Sequence, residues 1–146
     1  MSTDTKKIKV GIVGSTGYGG VELVRLLLTH PYVEISSVIS SSSAGELFSD
    51  GYPHLTEILD MPLDAVDVEL IRSKTDVVFT ATPSGVSTEL APKLLEAGLK
   101  VIDLSGDFRL KSGDVYERWY QKKAADEAYL KRAVYGLSEI YGEQVQ

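Results

Sequence analysis

The segment IKVGIVGSTGYGG, residues 8–20, restricts what this chain can fold into more than any other stretch. Ile8 to Val13 reads as a short apolar strand, and Gly11, Gly14 and Gly17 then give G-x-x-G-x-x-G, with Gly19 and Gly20 directly behind. From Gly20 to Leu28 a helical pattern follows, with Val21, Val24, Leu27 and Leu28 on one stripe. A strand that enters a glycine turn and leaves as a helix offers backbone N–H groups and the positive end of a helix dipole to a phosphate. Gly14 and Gly17 would let the backbone approach a pyrophosphate where a side chain would clash. The same glycines also serve a tight connection with close helix packing, and a glycine pattern by itself leaves both readings open.

The rest of the chain alternates in the same way. His30-Pro31 ends the first helix, because proline cannot continue it. Glu34 to Ser40 reads as a second strand, followed by a long loop through Gly45, Gly51 and Pro53 with room for a short helix. Val66 to Leu70 is expected to be a third strand, and Asp76 to Ala81, DVVFTA, a fourth that is covered on both faces. Thr82-Pro83-Ser84-Gly85 turns the chain into a helix over Val86 to Ala97, closed by Gly98, and Lys100 to Leu104 is expected to be another buried strand. Strands alternating with helices imply βαβ units and a mostly parallel sheet; taken with the glycine turn after the first strand, the expected fold is an α/β Rossmann-type dinucleotide-binding domain with helices on both faces. Beyond residue 105 the pattern loosens into Val115 to Tyr120, Asp126 to Arg132 and Ala133 to Tyr135, which do not read as a second self-contained domain.

Composition narrows the function classes. The 146 residues fit one domain with a real core, and the net charge of −6 argues against an electrostatic binder of nucleic acid or anionic membrane. Apolar runs are strand-sized, far short of a membrane span, and residues 1–7 carry no apolar signal segment, so cytoplasm is the expected setting. There is no cysteine, and the two histidines, His30 and His54, lie far apart, so no metal centre is expected.

Two further regions carry chemistry. Where a cofactor with a free ribose 2′-OH would meet an Asp or Glu, this chain has Ser40, Ser41, Ser42 and Ser43. Their hydroxyls can donate to a 2′-phosphate and no carboxylate repels one, which favours NADP(H); the bland reading is a polar loop, and no arginine stands by. Thr82, Pro83 and Ser84 follow a strand at its carboxyl end, where open α/β sheets bind ligands, or they form only a turn. IDLSGDFRL, residues 102–110, brings Ser105, Asp107 and Arg109 to the same edge. Arg109 suits a phosphate or carboxylate through its planar fork; alternatively Asp107 and Arg109 brace the loop. Tyr116, Trp119, Tyr120 and Tyr135 read as packing or interface groups.

Taken together, GIVGSTGYGGVELVRLLLTHP, Ser43-Ala44-Gly45 with Pro53 to Leu55, DVVFTATPSGVS, VIDLSGDFRL, YERWY and AVYGLSE closely resemble the amino-terminal part of the N-acetyl-γ-glutamyl-phosphate reductase family, related to aspartate-semialdehyde dehydrogenase. The resemblance implies NADPH-dependent reduction of an acyl phosphate to an aldehyde, in arginine biosynthesis. It implies a thiolate nucleophile and an acid–base histidine that both lie beyond Gln146, so residues 1–146 supply no catalytic residue and are expected to be inactive alone. It places Gly14, Ser15, Thr16, Gly17, Tyr18 and Gly19 at the pyrophosphate, Ser40 to Ser43 at the adenosine end, and Thr82, Pro83 and Ser84 along the cofactor cleft. Ser105 and Arg109 become candidates for the substrate phosphate, and the full-length enzyme is expected to be a homo-oligomer. Gln121, Ala124, Ser138 and Ser84 depart from the family's common residues. An aspartate-semialdehyde-dehydrogenase-type reductase and a non-catalytic nucleotide-binding module are the alternatives.

Overall fold

The structure is a computed structural model and describes residues 6–145. The reading of residues 1–7 therefore falls largely outside the described residues, as does Gln146. In chain order the elements are β1 (Ile8–Val13), α1 (Tyr18–Leu27), β2 (Val33–Ile39), α2 (Phe48–Gly51), a 3-10 turn (Pro53–Leu55), α3 (Val68–Lys74), β3 (Val77–Thr80), α4 (Ser87–Glu96), β4 (Lys100–Asp103), α5 (Gly113–Tyr120), α6 (Glu127–Arg132) and α7 (Ser138–Val145). The strands form one sheet in the order β2-β1-β3-β4, with every pairing parallel. This is the α/β architecture the alternating pattern predicts.

Side-chain alternation along the strands builds two cores. Val10 and Ile12 of β1 and Val38 of β2 face one side, where they pack with Val24 of α1 and with Phe48, Leu55, Leu59 and Leu63. Their immediate neighbours Val13 and Ile39 face the other side with Val78, Ile71 of α3, and Leu90 and Leu94 of α4. The period of two along a strand thus sends consecutive apolar residues to opposite cores, and helices cover both faces. Each fully buried Val, Leu or Ile stabilises the fold by about 1.5–3 kcal/mol.

Two expectations need correction. Val66 to Leu70 is not a strand: Asp67 caps a helix, its carboxylate accepting from the Leu70 amide at 2.8 Å, and α3 buries Ile71. The segment VDVEL alternates like a strand, but the cap and the three-residue spacing of Val68 and Ile71 decide for helix. Nor is the last strand buried. β4 is the sheet edge, with β3 on one side only, and Ile102 is 45% exposed.

The chain runs from β1 outward to β2 and then returns past β1 to β3. At this reversal a crevice opens between the carboxyl ends of β1 and β3, the place where open α/β sheets receive ligands. Beyond β4, α5 is anchored by the fully buried Tyr116 and α6 by Leu130, while α7 buries no residue.

Candidate functional site

The crevice is shaped first by backbone. Gly14, just after β1, has φ +78°, and a Cβ there would lie 2.3 Å from the carbonyl oxygen of Ala81, just after β3. Only glycine lets these two strand ends meet so closely in that conformation. The amides of Gly14 and Ser15 both donate to the Ile39 carbonyl, at 3.1 and 3.4 Å, pinning the turn to the end of β2. Gly20 then seats α1 on the turn: a Cβ on it would stand 2.3 Å from the Gly14 carbonyl oxygen.

The start of α1 faces outward from this turn. Gly17 is its N-cap, in extended conformation, and no side chain caps the helix or places an acid in its first turn. The opening amides, Tyr18 to Gly20, have no carbonyl to meet within the helix, so they remain donors for an anion. From the segment between β2 and α3, the Tyr52 hydroxyl donates to the Thr16 carbonyl at 2.6 Å and fixes the outer rim.

A cleft of about 300 Å³ opens at this point. Gly14, Thr16 and Gly17 form one wall, Ser40 to Ser42 with Val66 a second, and Ala81, Thr82, Pro83, Val86 and Leu90 a third. None of these residues carries a charge, so no carboxylate opposes a phosphate there.

The structure divides the predicted site residues. Gly14, Thr16, Gly17, Ser40, Ser41, Ser42, Thr82 and Pro83 line the cleft. Tyr18 stands fully exposed beside a neighbouring depression that it shares with Tyr52 and Glu22, and Gly19 sits in the first turn of α1. Ser43 and Ser84 flank their loops and do not line the cleft.

Several hydroxyls are turned inward. Ser15 is fully buried and donates to the Ile39 carbonyl at 3.2 Å. Ser40 is buried as well, and its Oγ accepts the amides of Ser42 and Ser43, both at 3.3 Å, which curls the serine loop; Ser41 and Ser42 are exposed. Behind the loop, Asp64 accepts from Ser37 Oγ at 2.6 Å and pairs with Lys74 Nζ at 2.7 Å.

Ser105 and Arg109 do not line the cleft. Ser105 Oγ donates to Asp103 at 2.7 Å and accepts the Asp107 amide at 3.1 Å, so its hydroxyl is occupied by its own loop. Arg109 is exposed and reaches the Tyr120 hydroxyl at 3.5 Å. Among the described residues it forms no ion pair. Asp107 is a brace, as one of the two sequence readings had it. Fully buried, it accepts from the Gly85 amide, the Thr88 amide and the Tyr116 hydroxyl. Burial, and then the Asp107 carboxylate, push the Tyr116 phenol far above its ordinary value, so it stays a donor. Trp119 is 75% exposed and does not line the cleft.

The glycine triplet that stands out in the sequence begins at Gly11. Within the motif the close backbone approaches fall on Gly14 and Gly20, whereas Gly11 faces the Thr75 side chain, and GSTGYGG is itself a G-x-x-G-x-x-G spaced three residues later. That repeat was the available signal for Gly20.

Comparison with known proteins agrees with this geometry. N-acetyl-gamma-glutamyl-phosphate reductase of Bacillus cytotoxicus is 55% identical over 139 residues, covering 95% of this chain and 40% of its own length. The protein of the same name from Gloeothece citriformis is 50% identical over 143 residues, 98% of this chain and 41% of its own. The chain thus spans about two fifths of the length of these curated relatives. The crystal structure of aspartate semialdehyde dehydrogenase with NADP from Candida albicans is similar at a TM-score of 0.65 and 29% identity, covering 74% of this chain and 32% of that one. The family described as semialdehyde dehydrogenase, NAD binding domain, matches residues 9–146. With a parallel sheet, a glycine turn at its switch point and a family match across nearly its whole length, the chain belongs to the semialdehyde dehydrogenase NAD-binding domain family.

Proposed function

We propose that residues 1–146 are the cofactor-binding domain of an N-acetyl-γ-glutamyl-phosphate reductase and that the cofactor is NADP(H). The observation that carries this reading is the uncharged cleft at the β1–β3 switch point, walled by a glycine-rich turn and a serine loop. A Cβ at Gly14 would fill the place where turn and strand meet, and the opening amides of α1 want an acceptor, so the residues present fit a pyrophosphate. The reading is supported further by the identity to reductases and by the likeness to a dehydrogenase solved with NADP.

On this reading Gly14, Thr16 and Gly17 hold the pyrophosphate together with the amides of Tyr18 and Gly19. Ser41 and Ser42 receive the ribose 2′-phosphate, with Ser40 and Ser43 shaping their loop, and Thr82 and Pro83 line the opposite wall. The bound cofactor supplies the hydride for reduction of an acyl phosphate. Arg109, exposed and, among the described residues, without an ion-pair partner, is the residue proposed for the substrate phosphate, with Ser105 holding its loop. Residues 1–146 contain no cysteine, so the thiolate comes from sequence outside them. The parent enzyme's homo-oligomeric state and cytoplasmic setting belong to the same proposal; among the described residues no helix is long and apolar enough to cross a membrane.

The test is a titration of the chain with NADPH and NADH, followed by nicotinamide fluorescence and calorimetry. Hydroxyl donors to a charged phosphate contribute about 1.5–3 kcal/mol, so NADPH should bind about 10- to 100-fold tighter than NADH. Equal affinity sinks the 2′-phosphate assignment, and failure of both cofactors to bind sinks the cofactor reading.

A further inference from the structure

We propose that Asp107 is a positioning residue for the cofactor cleft: from beneath, it fixes the Thr82–Gly85 turn that forms the wall facing the glycine turn. The proposal rests on the reading of that cleft as a dinucleotide site.

Asp107 is fully buried, and each group it meets is a donor. The Gly85 amide lies 2.9 Å from both carboxylate oxygens, the Thr88 amide 3.2 Å from one, and the Tyr116 hydroxyl 2.6 Å from the other. Three segments therefore converge on one side chain: the turn itself, the first turn of α4, and α5. A buried carboxylate is costly unless its donors are all in place, and an apolar side chain of similar size would often stabilise a fold as well. What the carboxylate adds is geometry, because it specifies where three donors must stand.

The loop that carries Asp107 is tied back to the same turn from the other end. The Asp107 amide donates to Ser105 Oγ, Ser105 Oγ donates to Asp103, and Asp103 accepts from Thr80 Oγ1 at 2.7 Å. Thr80 is the last residue of β3, so the chain of bonds runs from Thr80 through Asp103, Ser105 and Asp107 to Gly85. It spans residues 81–84 and holds both flanks of the stretch that presents Thr82 and Pro83 to the cleft. The remaining side-chain contacts of the turn, Thr82 Oγ1 with Ser87 Oγ and Thr88 Oγ1 with the Gly85 carbonyl, are local to the start of α4.

Asp107→Asn puts an amide NH2 where only acceptors fit, whereas Tyr116→Phe removes one donor and leaves the Gly85 contacts. In the 146-residue chain, Asp107→Asn should raise the Kd for NADPH by about 10- to 100-fold and shift the Thr82 amide resonance. Tyr116→Phe should lower the melting temperature yet change the Kd by less than about threefold. A purely stabilising role would lower melting in both variants and separate neither Kd nor resonance. If the unaltered chain binds NADPH and Asp107→Asn binds it within about threefold as tightly, the positioning role is overturned while the cofactor reading stands. If the unaltered chain binds no NADPH, the cofactor reading fails, and a Thr82 resonance unmoved by Asp107→Asn then overturns the positioning role independently. Should Asp107→Asn not fold, Ser105→Ala opens the same ring at its next link, and an unchanged Kd and Thr82 resonance in that variant overturn the proposal.

Discussion

Gly14→Ala puts the geometry of the switch point to a quantitative test. At φ +78° an alanine pays about 1–2 kcal/mol for the left-handed conformation. Its Cβ would also lie 2.3 Å from the Ala81 carbonyl oxygen and 2.9 Å from the carbonyl carbon. Backbone at the end of a paired strand cannot swing aside as the tip of a side chain can, so the overlap is relieved only by parting β1 and β3, an overpacking cost of about 1–3 kcal/mol. The total, about 2–5 kcal/mol, corresponds in a chain of this size to a fall of about 6–16 °C in Tm. Gly19→Ala is the control. Nothing lies within 4 Å of its added Cβ, and the site is in the first turn of α1, so alanine should stabilise by about 0.4–1 kcal/mol through the unfolded state. Calorimetric melting and urea midpoints read both. A Gly14→Ala protein that melts within about 2 °C of the parent, or two variants that move in the same direction, refutes the close-approach argument.

Two further predictions concern the groups around the cleft. Burial and the neighbouring Asp107 hold the Tyr116 phenol above 10.0, so its contribution to stability is complete below about pH 10 and is lost as pH rises through the higher folded value. Urea midpoints should therefore fall more steeply above about pH 10 in the parent than in Tyr116→Phe, and parallel slopes would contradict the assignment. Lys74→Met leaves the largely buried Asp64 with Ser37 as its side-chain donor and should lower stability by about 1–2 kcal/mol, discounted because Lys74 is 38% exposed; an unchanged urea midpoint would contradict this.

Much of the architecture was legible because several signals coincided. β1, its glycine turn and α1 combine an apolar run, close-packed glycines and a helical stripe, and each points to the same unit. α3 was not legible from pattern alone, since Val66, Val68 and Leu70 alternate with acids as a half-buried strand would. The deciding facts were the Asp67 cap and the burial of Ile71, and the latter depends on packing the sequence does not display. Exposure of β4 was hidden for a related reason: an apolar strand looks the same whether a neighbour covers its edge or not. At the site, sequence identified the residue types but not which hydroxyls were already committed. Ser15, Ser40 and Ser105 look like ligand donors on paper, yet Ser15 is committed to the Ile39 carbonyl at the end of β2 and Ser40 and Ser105 bond within their own loops, whereas Thr16 and Ser41 are exposed at the cleft.

The central place of β1 has a consequence for how the protein comes to exist at all. Its neighbour β3 lies far along the chain: the Lys9 amide bonds Asp76 across a separation of 67 residues. Parallel pairing over such a distance closes a long loop before any contact rewards it, and this slows folding. Gly14 cannot settle against Ala81 until that loop has closed, so the glycine turn takes its final shape only once residues far along the chain are in place. Ligand capture and sheet closure become one cooperative event. A ligand that binds only the finished crevice then acts on folding itself, adding about 2.7 kcal/mol of stability when present at 100 times its Kd.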